Sequence, residues 1–189
     1  ITSIDERSAA FLALGISAAS GELTGVITTS GTAVANLLPA AVEADRSCHP
    51  LLFLTADRPL RLKECGANQA VNQQDFLKSA CRYFAESPRE GIHLISQERL
   101  NFLIEKSFEM AIKMPGPVHL NLAYEEPLHP SALDQNKVLD GWDIDGFFRN
   151  KITLRKDEFI NNSPILKLPK LDPFQVGIII VGPWRGKAN

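Results

Sequence analysis

The sequence is short of the features that announce most chemistries. No apolar run in its 189 residues approaches the roughly 20 that a membrane-spanning helix requires. Lysine and arginine number 20 against 22 acidic residues, a formal charge of -2 with a pI near 6.1, so no electrostatic footprint for nucleic acid or an anionic membrane is present. Cys48, Cys65 and Cys81 are odd in number and lack close paired spacing, which argues against a disulfide framework and a zinc site. A reducing compartment fits best, with the cytoplasm as the expected location, or a plastid if the source is a plant or alga. There is no Walker-type phosphate loop, no complete dinucleotide fingerprint, no histidine pair at metal spacing and no nucleophile elbow. Gly15-Ile16-Ser17-Ala18-Ala19 misses the elbow because Ala19 stands where glycine is needed. His49, His93, His119 and His129 are scattered and read as structural or solvated. No internal repeat or low-complexity tract is evident.

What is present is an ordinary globular composition, 44% hydrophobic and 22% charged, long enough for one sizeable core and the beginning of a second. The chain starts at Ile1 without a methionine, and a fragment of a longer protein, cut at both ends, is the expectation. Its organising stretch is Gly25 to Ala44, which reads as strand, tight turn and helix. Val26, Ile27, Thr28 and Thr29 are uncharged and β-branched, as in a parallel strand buried on both faces. Ser30-Gly31-Thr32 then turns the chain; Gly31 can take positive φ, and Ser30 or Thr32 can cap the next helix. Strand ends of this kind wall ligand sites in α/β sheets, and helix-terminus logic alone makes the turn an anion cradle. Pro39 lies inside the helical pattern and predicts a kink near Ala35 to Asn36.

The remaining segments alternate in type. Residues 5–20 form a helix, apolar nearly all round and so expected to be buried, with Gly21 as its stop. Pro50 to Thr55 reads as a second buried strand. A helix is expected over Ala70 to Ala80, a short strand over Arg82 to Ala85, an amphipathic helix over Gln97 to Lys113 and a strand over Val118 to Leu122. The fold class is therefore α/β, a parallel sheet flanked by helices. After Glu126, prolines and charged clusters mark an interdomain linker over 127–174. Residues 175–189, with the apolar run VGIIIVG, read as the first strand of a second α/β domain.

Chemistry has to come from polar groups at turns and strand ends. Glu6, taken alone, is a dipole-favoured glutamate in the first helical turn. Asp57-Arg58 is either a surface ion pair or an anion site at a strand end. Asn68-Gln69 reads as capping for a helix after Gly66.

Together these segments resemble a known family. Ile4-Asp5-Glu6-Arg7, TSGTAVANLLPAAVEA, LTADRP and CGANQA, in this order, are similar to the pyrimidine-binding domain of thiamine-diphosphate enzymes. Within that group they resemble the 2-succinyl-5-enolpyruvyl-6-hydroxy-3-cyclohexene-1-carboxylate synthases, the MenD family of menaquinone and phylloquinone biosynthesis. PGPVHLNLAYEEPL at 115–128 resembles the end of that domain, which would then span residues 1–126.

The resemblance implies that Glu6 hydrogen-bonds N1′ of the cofactor's aminopyrimidine, so that the cofactor's own amino group can remove the thiazolium C2 proton. It implies that Ser30, Gly31 and Thr32 wall the pyrimidine end of the cofactor, and that Arg58 binds a substrate carboxylate. Asn68 and Gln69 would contact substrate or intermediate. The implied reaction decarboxylates 2-oxoglutarate and adds the remaining four-carbon unit to isochorismate in a homodimer or homotetramer. The family's Gly-Ser-Arg-Ser segment is not among these residues, and the diphosphate and Mg2+ are expected to be held outside them. The fragment alone is accordingly expected to be inactive.

Two other readings compete. One is a different thiamine-diphosphate carboligase of the acetolactate-synthase type, which the Thr32-Ala33 pair and the ADRP and GANQ segments disfavour. The other is a noncatalytic flavodoxin-like binding domain, since fold alone does not decide function.

Overall fold

The computed structural model describes residues 1–126, 128, 129, 131 and 132, within and just beyond the compact unit Ile1–His129. The linker and second-domain expectations for 127–174 and 175–189 lie essentially outside the described residues. Four strands form one parallel sheet: β1 (Thr24–Thr28), β2 (Leu51–Asp57), β3 (Tyr83–Glu86) and β4 (Pro117–Ala123), in the order β1-β2-β4-β3. The helices are α1 (Glu6–Ser20), the short α2 (Thr32–Ala35), α3 (Leu38–Ser47) and α4 (Gln97–Lys113). The expected α/β class is what the chain forms.

β2 shows why continuous apolar runs make central strands. Leu51 and Phe53 enter one core with Ala10, Val34, Leu37 and Ala41. Leu52, pointing the other way, joins Leu103, Ala111, Val118 and Leu120 beneath α4. Each fully buried large side chain contributes roughly 1.5–3 kcal/mol, so a strand loaded on both faces belongs in the sheet centre.

β1 departs from expectation. It was expected to be buried on both faces, but it lies at the sheet edge, where only Val26 is buried and Ile27 is 80% exposed. α4 leans over β2, β3 and β4, leaving a small apolar groove of about 250 Å³ between Leu23, Gly25 and Leu54 on the sheet and Ile104 and Phe108 on the helix.

α1 also differs from the fully buried helix that its composition implies. Ala10, Ala13 and Ser17 face the core, whereas Phe11, Leu12 and Ile16 remain substantially exposed. Its end follows the sequence, and its start lies one residue later than read. Asp5 caps the start by accepting from the Arg7 and Ser8 amides, and Gly21 ends it in the left-handed region. Ser17 Oγ donates to the Pro50 carbonyl at 2.9 Å, tying α1 to the start of β2.

The Pro39 kink takes the form of a break. α2 closes at Asn36, and a new helix starts at Leu38 with Pro39 in its first turn, where a missing amide proton breaks no helical hydrogen bond. The helix expected over Ala70 to Ala80 is absent. Its place is taken by a 3₁₀ turn at Gln73–Asp75 and further tight turns through Ala80. Helical propensity yields there to tertiary demand, because both Gln73 and Leu77 are turned fully inward.

Candidate functional site

With Asp5 occupied as the cap, Glu6 is left to other work at the first residue of α1. Its Oε2 accepts from Asn36 Nδ2 at 3.1 Å, in a half-buried setting. Asn36 is the residue that closes α2, so Glu6 is held against the helix that the Ser30-Gly31-Thr32 turn begins. Gly31 adopts φ 81°, ψ -137°, a conformation that residues with a Cβ rarely adopt. A Cβ there would also lie 3.1 Å from the Gln69 Cβ. Gln69, itself at φ 59°, is therefore packed onto the turn by close approach. Asn68 is exposed beside it, and Thr32 is exposed while Ser30 is buried.

Neither Ser30 nor Thr32 caps α2, contrary to the sequence expectation; no side chain does. A four-residue helix has little dipole for a phosphate, so the anion-cradle reading loses its physical basis. Instead, the Gly31 amide donates to Gln73 Oε1 at 2.8 Å.

Gln73 opens a buried polar network at the carboxyl ends of β2 and β4. Its Nε2 donates to the Ala56 carbonyl and to Asn121 Oδ1, both at 2.8 Å. Asn121 Nδ2 donates to Asp57 Oδ2 at 2.8 Å, and Thr55 Oγ1 donates to Asn121 Oδ1 at 2.8 Å. Asp57 is no surface partner for Arg58, as the sequence allowed. It is 3% exposed and bound by Lys63 Nζ at 2.6 Å and 2.8 Å, and from Arg58 it accepts the backbone amide rather than the guanidinium. The Arg58 guanidinium lies at 3.8 Å from Glu126 and, with Asp57, Lys63, Gln74, Glu86 and Arg89, lines a cleft of about 350 Å³. The structure thus brings Glu6, the 30–32 turn and Gln69 into one chain of contacts. Arg58 stands in a separate cleft, linked to them through Gln73, Asn121 and Asp57.

Comparison with known proteins gives this arrangement a context. Residues 1–79 match the family described as thiamine pyrophosphate enzyme, N-terminal TPP binding domain. The whole chain is 79% identical to part of the 2-succinyl-5-enolpyruvyl-6-hydroxy-3-cyclohexene-1-carboxylate synthase of Prochlorococcus marinus strain NATL1A, and 80% identical to that of strain NATL2A. Over its whole length the chain is thus similar to one part of these synthases. A Synechococcus relative, strain WH7803, is 52% identical over 98% of the chain. The chain spans 32% of the length of each of these relatives.

Asn36, Thr55, Lys63, Gln73, His119 and Asn121 are hydrogen-bonded among or next to the candidate residues, and reading the sequence did not single them out. One signal was available. His119 and Asn121 are two apart in an apolar strand, so they share a face, and β-sheet register sets them beside Phe53 and Thr55. The network also fixes the histidine tautomer. The single hydroxyl proton of Thr55 goes to Asn121, so at the 2.7 Å Thr55–His119 contact the histidine Nε2–H must be the donor. Nδ1 is then a bare lone pair, and it has no partner among the described residues.

Burial pushes the His119 pKa down to about 4. A folded pKa below the unfolded value near 6.5 means that the unfolded chain binds the proton first. Stability from this residue is therefore complete above pH 6.5 and is lost progressively as pH falls to about 4. His119→Gln, which can still donate to Thr55, is expected to flatten the urea-unfolding midpoint between pH 6.5 and pH 5. The wild-type slope from this proton approaches about 1.4 kcal/mol per pH unit there; equal slopes in the two proteins would refute the assignment.

Proposed function

We propose that the chain provides the pyrimidine-facing part of a thiamine-diphosphate site in a 2-succinyl-5-enolpyruvyl-6-hydroxy-3-cyclohexene-1-carboxylate synthase. The intact enzyme would decarboxylate 2-oxoglutarate and join the remaining four-carbon unit to isochorismate. The observation that carries this reading is the Glu6 carboxylate, half-buried at a helix start and held on one oxygen by Asn36. Its Oε1 accepts no hydrogen bond among the described residues, which fits a group that must share a proton with a ring nitrogen.

When bound, the cofactor supplies the nucleophilic carbon. Glu6 holds a proton between Oε1 and the pyrimidine N1′, while Asn36 fixes the carboxylate plane from the other side. The missing side chain of Gly31 lets Gln69 pack onto the turn that would face the ring, and the Gln69 amide, like that of Asn68, would be available to substrate. Arg58 offers a planar pair of donors to a substrate carboxylate, its pairing with Glu126 at 3.8 Å being loose enough to exchange. Diphosphate and Mg2+ are assigned to other parts of the intact enzyme. The exposed apolar row Phe11, Leu12 and Ile16 on α1 supports burial against another surface, consistent with a homodimer or homotetramer. Among the described residues no helix is long and apolar enough to cross a membrane, and a cytoplasmic location is proposed.

The test is an assay of the intact protein with thiamine diphosphate and Mg2+. Consumption of 2-oxoglutarate should depend on isochorismate; carboligation of pyruvate without it would favour the acetolactate-type alternative. In the same protein, Arg58→Ala should raise KM for a carboxylate substrate by about tenfold or more, the loss of a charge-assisted bidentate contact, with cofactor affinity retained. Lost cofactor affinity at unchanged KM would contradict the role given to Arg58.

A further inference from the structure

Gln73 is fully buried, 0% exposed, yet all of its amide is used. Oε1 takes the Gly31 amide proton, while Nε2 gives its two protons to the Ala56 carbonyl and to Asn121 Oδ1. The first partner belongs to the turn beside Glu6. The other two lead directly to Asp57, whose Oδ1 receives the Arg58 amide at 2.8 Å.

The surrounding segment is pinned in the same two directions. Gln69 packs on Gly31, while Lys63 Nζ reaches the Val71 carbonyl at 2.9 Å and Gln74 Nε2 reaches Asp57 at 3.2 Å. The amide orientation is over-determined, because Asn121 must present its NH2 to the Asp57 carboxylate and hence its oxygen to Gln73. A burial of this kind is costly unless the oxygen and both amide protons find partners, and here those partners span the Gly31 turn and two strand ends.

We infer that Gln73 is a positioning residue that sets the Gly31 turn and the Arg58 strand end relative to each other, so that cofactor-end and carboxylate-end geometry depend on one amide. This rests on the function proposed above. Gln73 touches neither substrate nor cofactor; it acts through Gly31 on one side and through Asn121 and Asp57 on the other.

The two arms can be separated by substitution in the intact synthase. Gln73→Ala removes both arms, whereas Gln73→Glu keeps an oxygen for the Gly31 amide and removes the donors to Ala56 and Asn121. Gln73→Ala is expected to raise both the thiamine-diphosphate Kd and the KM of a carboxylate substrate by about tenfold, the effect of roughly one lost buried hydrogen bond at each end. Gln73→Glu should raise KM alone. In cofactor-free protein, amide hydrogen exchange of the peptide spanning Gly31 should quicken in Gln73→Ala and stay near wild type in Gln73→Glu.

General destabilisation is controlled by Leu103→Ala, a cavity under α4 in the other core, which should lower Tm while leaving Kd, KM and Gly31 exchange unchanged. If Gln73→Ala does not fold, the KM rise in Gln73→Glu with unchanged Kd decides the matter. Unchanged KM and Kd in a folded Gln73→Ala, or equal shifts in Leu103→Ala, would overturn the inference. Wild-type enzyme without isochorismate-dependent turnover would instead refute the proposed function. The exchange result would still test the Gln73–Gly31 link.

Discussion

With the function proposed above, Glu6→Gln in the intact protein is expected to lower isochorismate-dependent consumption of 2-oxoglutarate by about 10²–10⁴-fold, the range that a positioned proton-transfer group contributes. The substitution is nearly isosteric, and its oxygen can still accept from Asn36 Nδ2, so the contact at 3.1 Å survives. The other terminal atom becomes an NH2, which cannot hold a proton for a ring nitrogen. Folding should barely change. The cap of α1 is Asp5, not Glu6, and removing one acidic side chain from the first turn costs only about 0.3–1 kcal/mol of dipole interaction. The paired measurement is Tm by calorimetry and steady-state turnover on the same preparation. Activity within threefold of wild type, at unchanged Tm, would remove Glu6 from the mechanism.

Lys63→Met should be the most damaging single change to stability in this region, at about 3 kcal/mol, the lower end of the range for breaking a buried ion pair by removing one partner. Lys63 Nζ makes both of its carboxylate contacts to Asp57, whose side chain is only 2% exposed. Methionine keeps most of the aliphatic stem but leaves the carboxylate with neutral donors alone: Asn121 Nδ2, Gln74 Nε2 and the Arg58 amide. Those donors are why the lower figure applies. Urea unfolding checks it, and Lys63→Met combined with Asp57→Asn should recover part of the loss, because the uncompensated charge disappears. A loss below about 1 kcal/mol would place this pair with ordinary surface salt bridges.

How much of this was legible beforehand follows from how local each cause is. Caps and stops are short-range: Gly21 ends α1 as read, and Asp5 and Ser96, which were not read as caps, are residue types that commonly take the cap positions they hold. β2 and β4 follow from apolar runs bounded by prolines and loops. The failures share a different origin. Whether β1 is central or at an edge depends on neighbours that no pattern within Val26 to Thr29 encodes. Pro39 was weighed as a helix-interior residue, although one step earlier in register it is a harmless first-turn residue.

The site divides in the same manner. Glu6, the 30–32 turn, Arg58 and Gln69 belong to short contiguous motifs, so resemblance could propose roles for them. Gln73, Asn121, Thr55 and His119 come together across 48 to 66 positions of chain, each inside a segment read only as strand or helix. His119 and Asn121 broke the apolar run of β4 on one face, and that face is where the polar network formed.

β1 carries a further consequence, one of association. Among the described residues it pairs only with β2, so the far side of TGVIT presents an unsatisfied row of amides and carbonyls flanked by the exposed Ile27. Unguarded edges rich in β-branched residues are templates for further strands. The unit Ile1–His129 prepared by itself would carry this edge in the open, and its solubility would be limited there before anywhere in its core. The same five residues deliver Ser30-Gly31-Thr32, so whatever chain pairs along β1 presses on the backbone that shapes the turn.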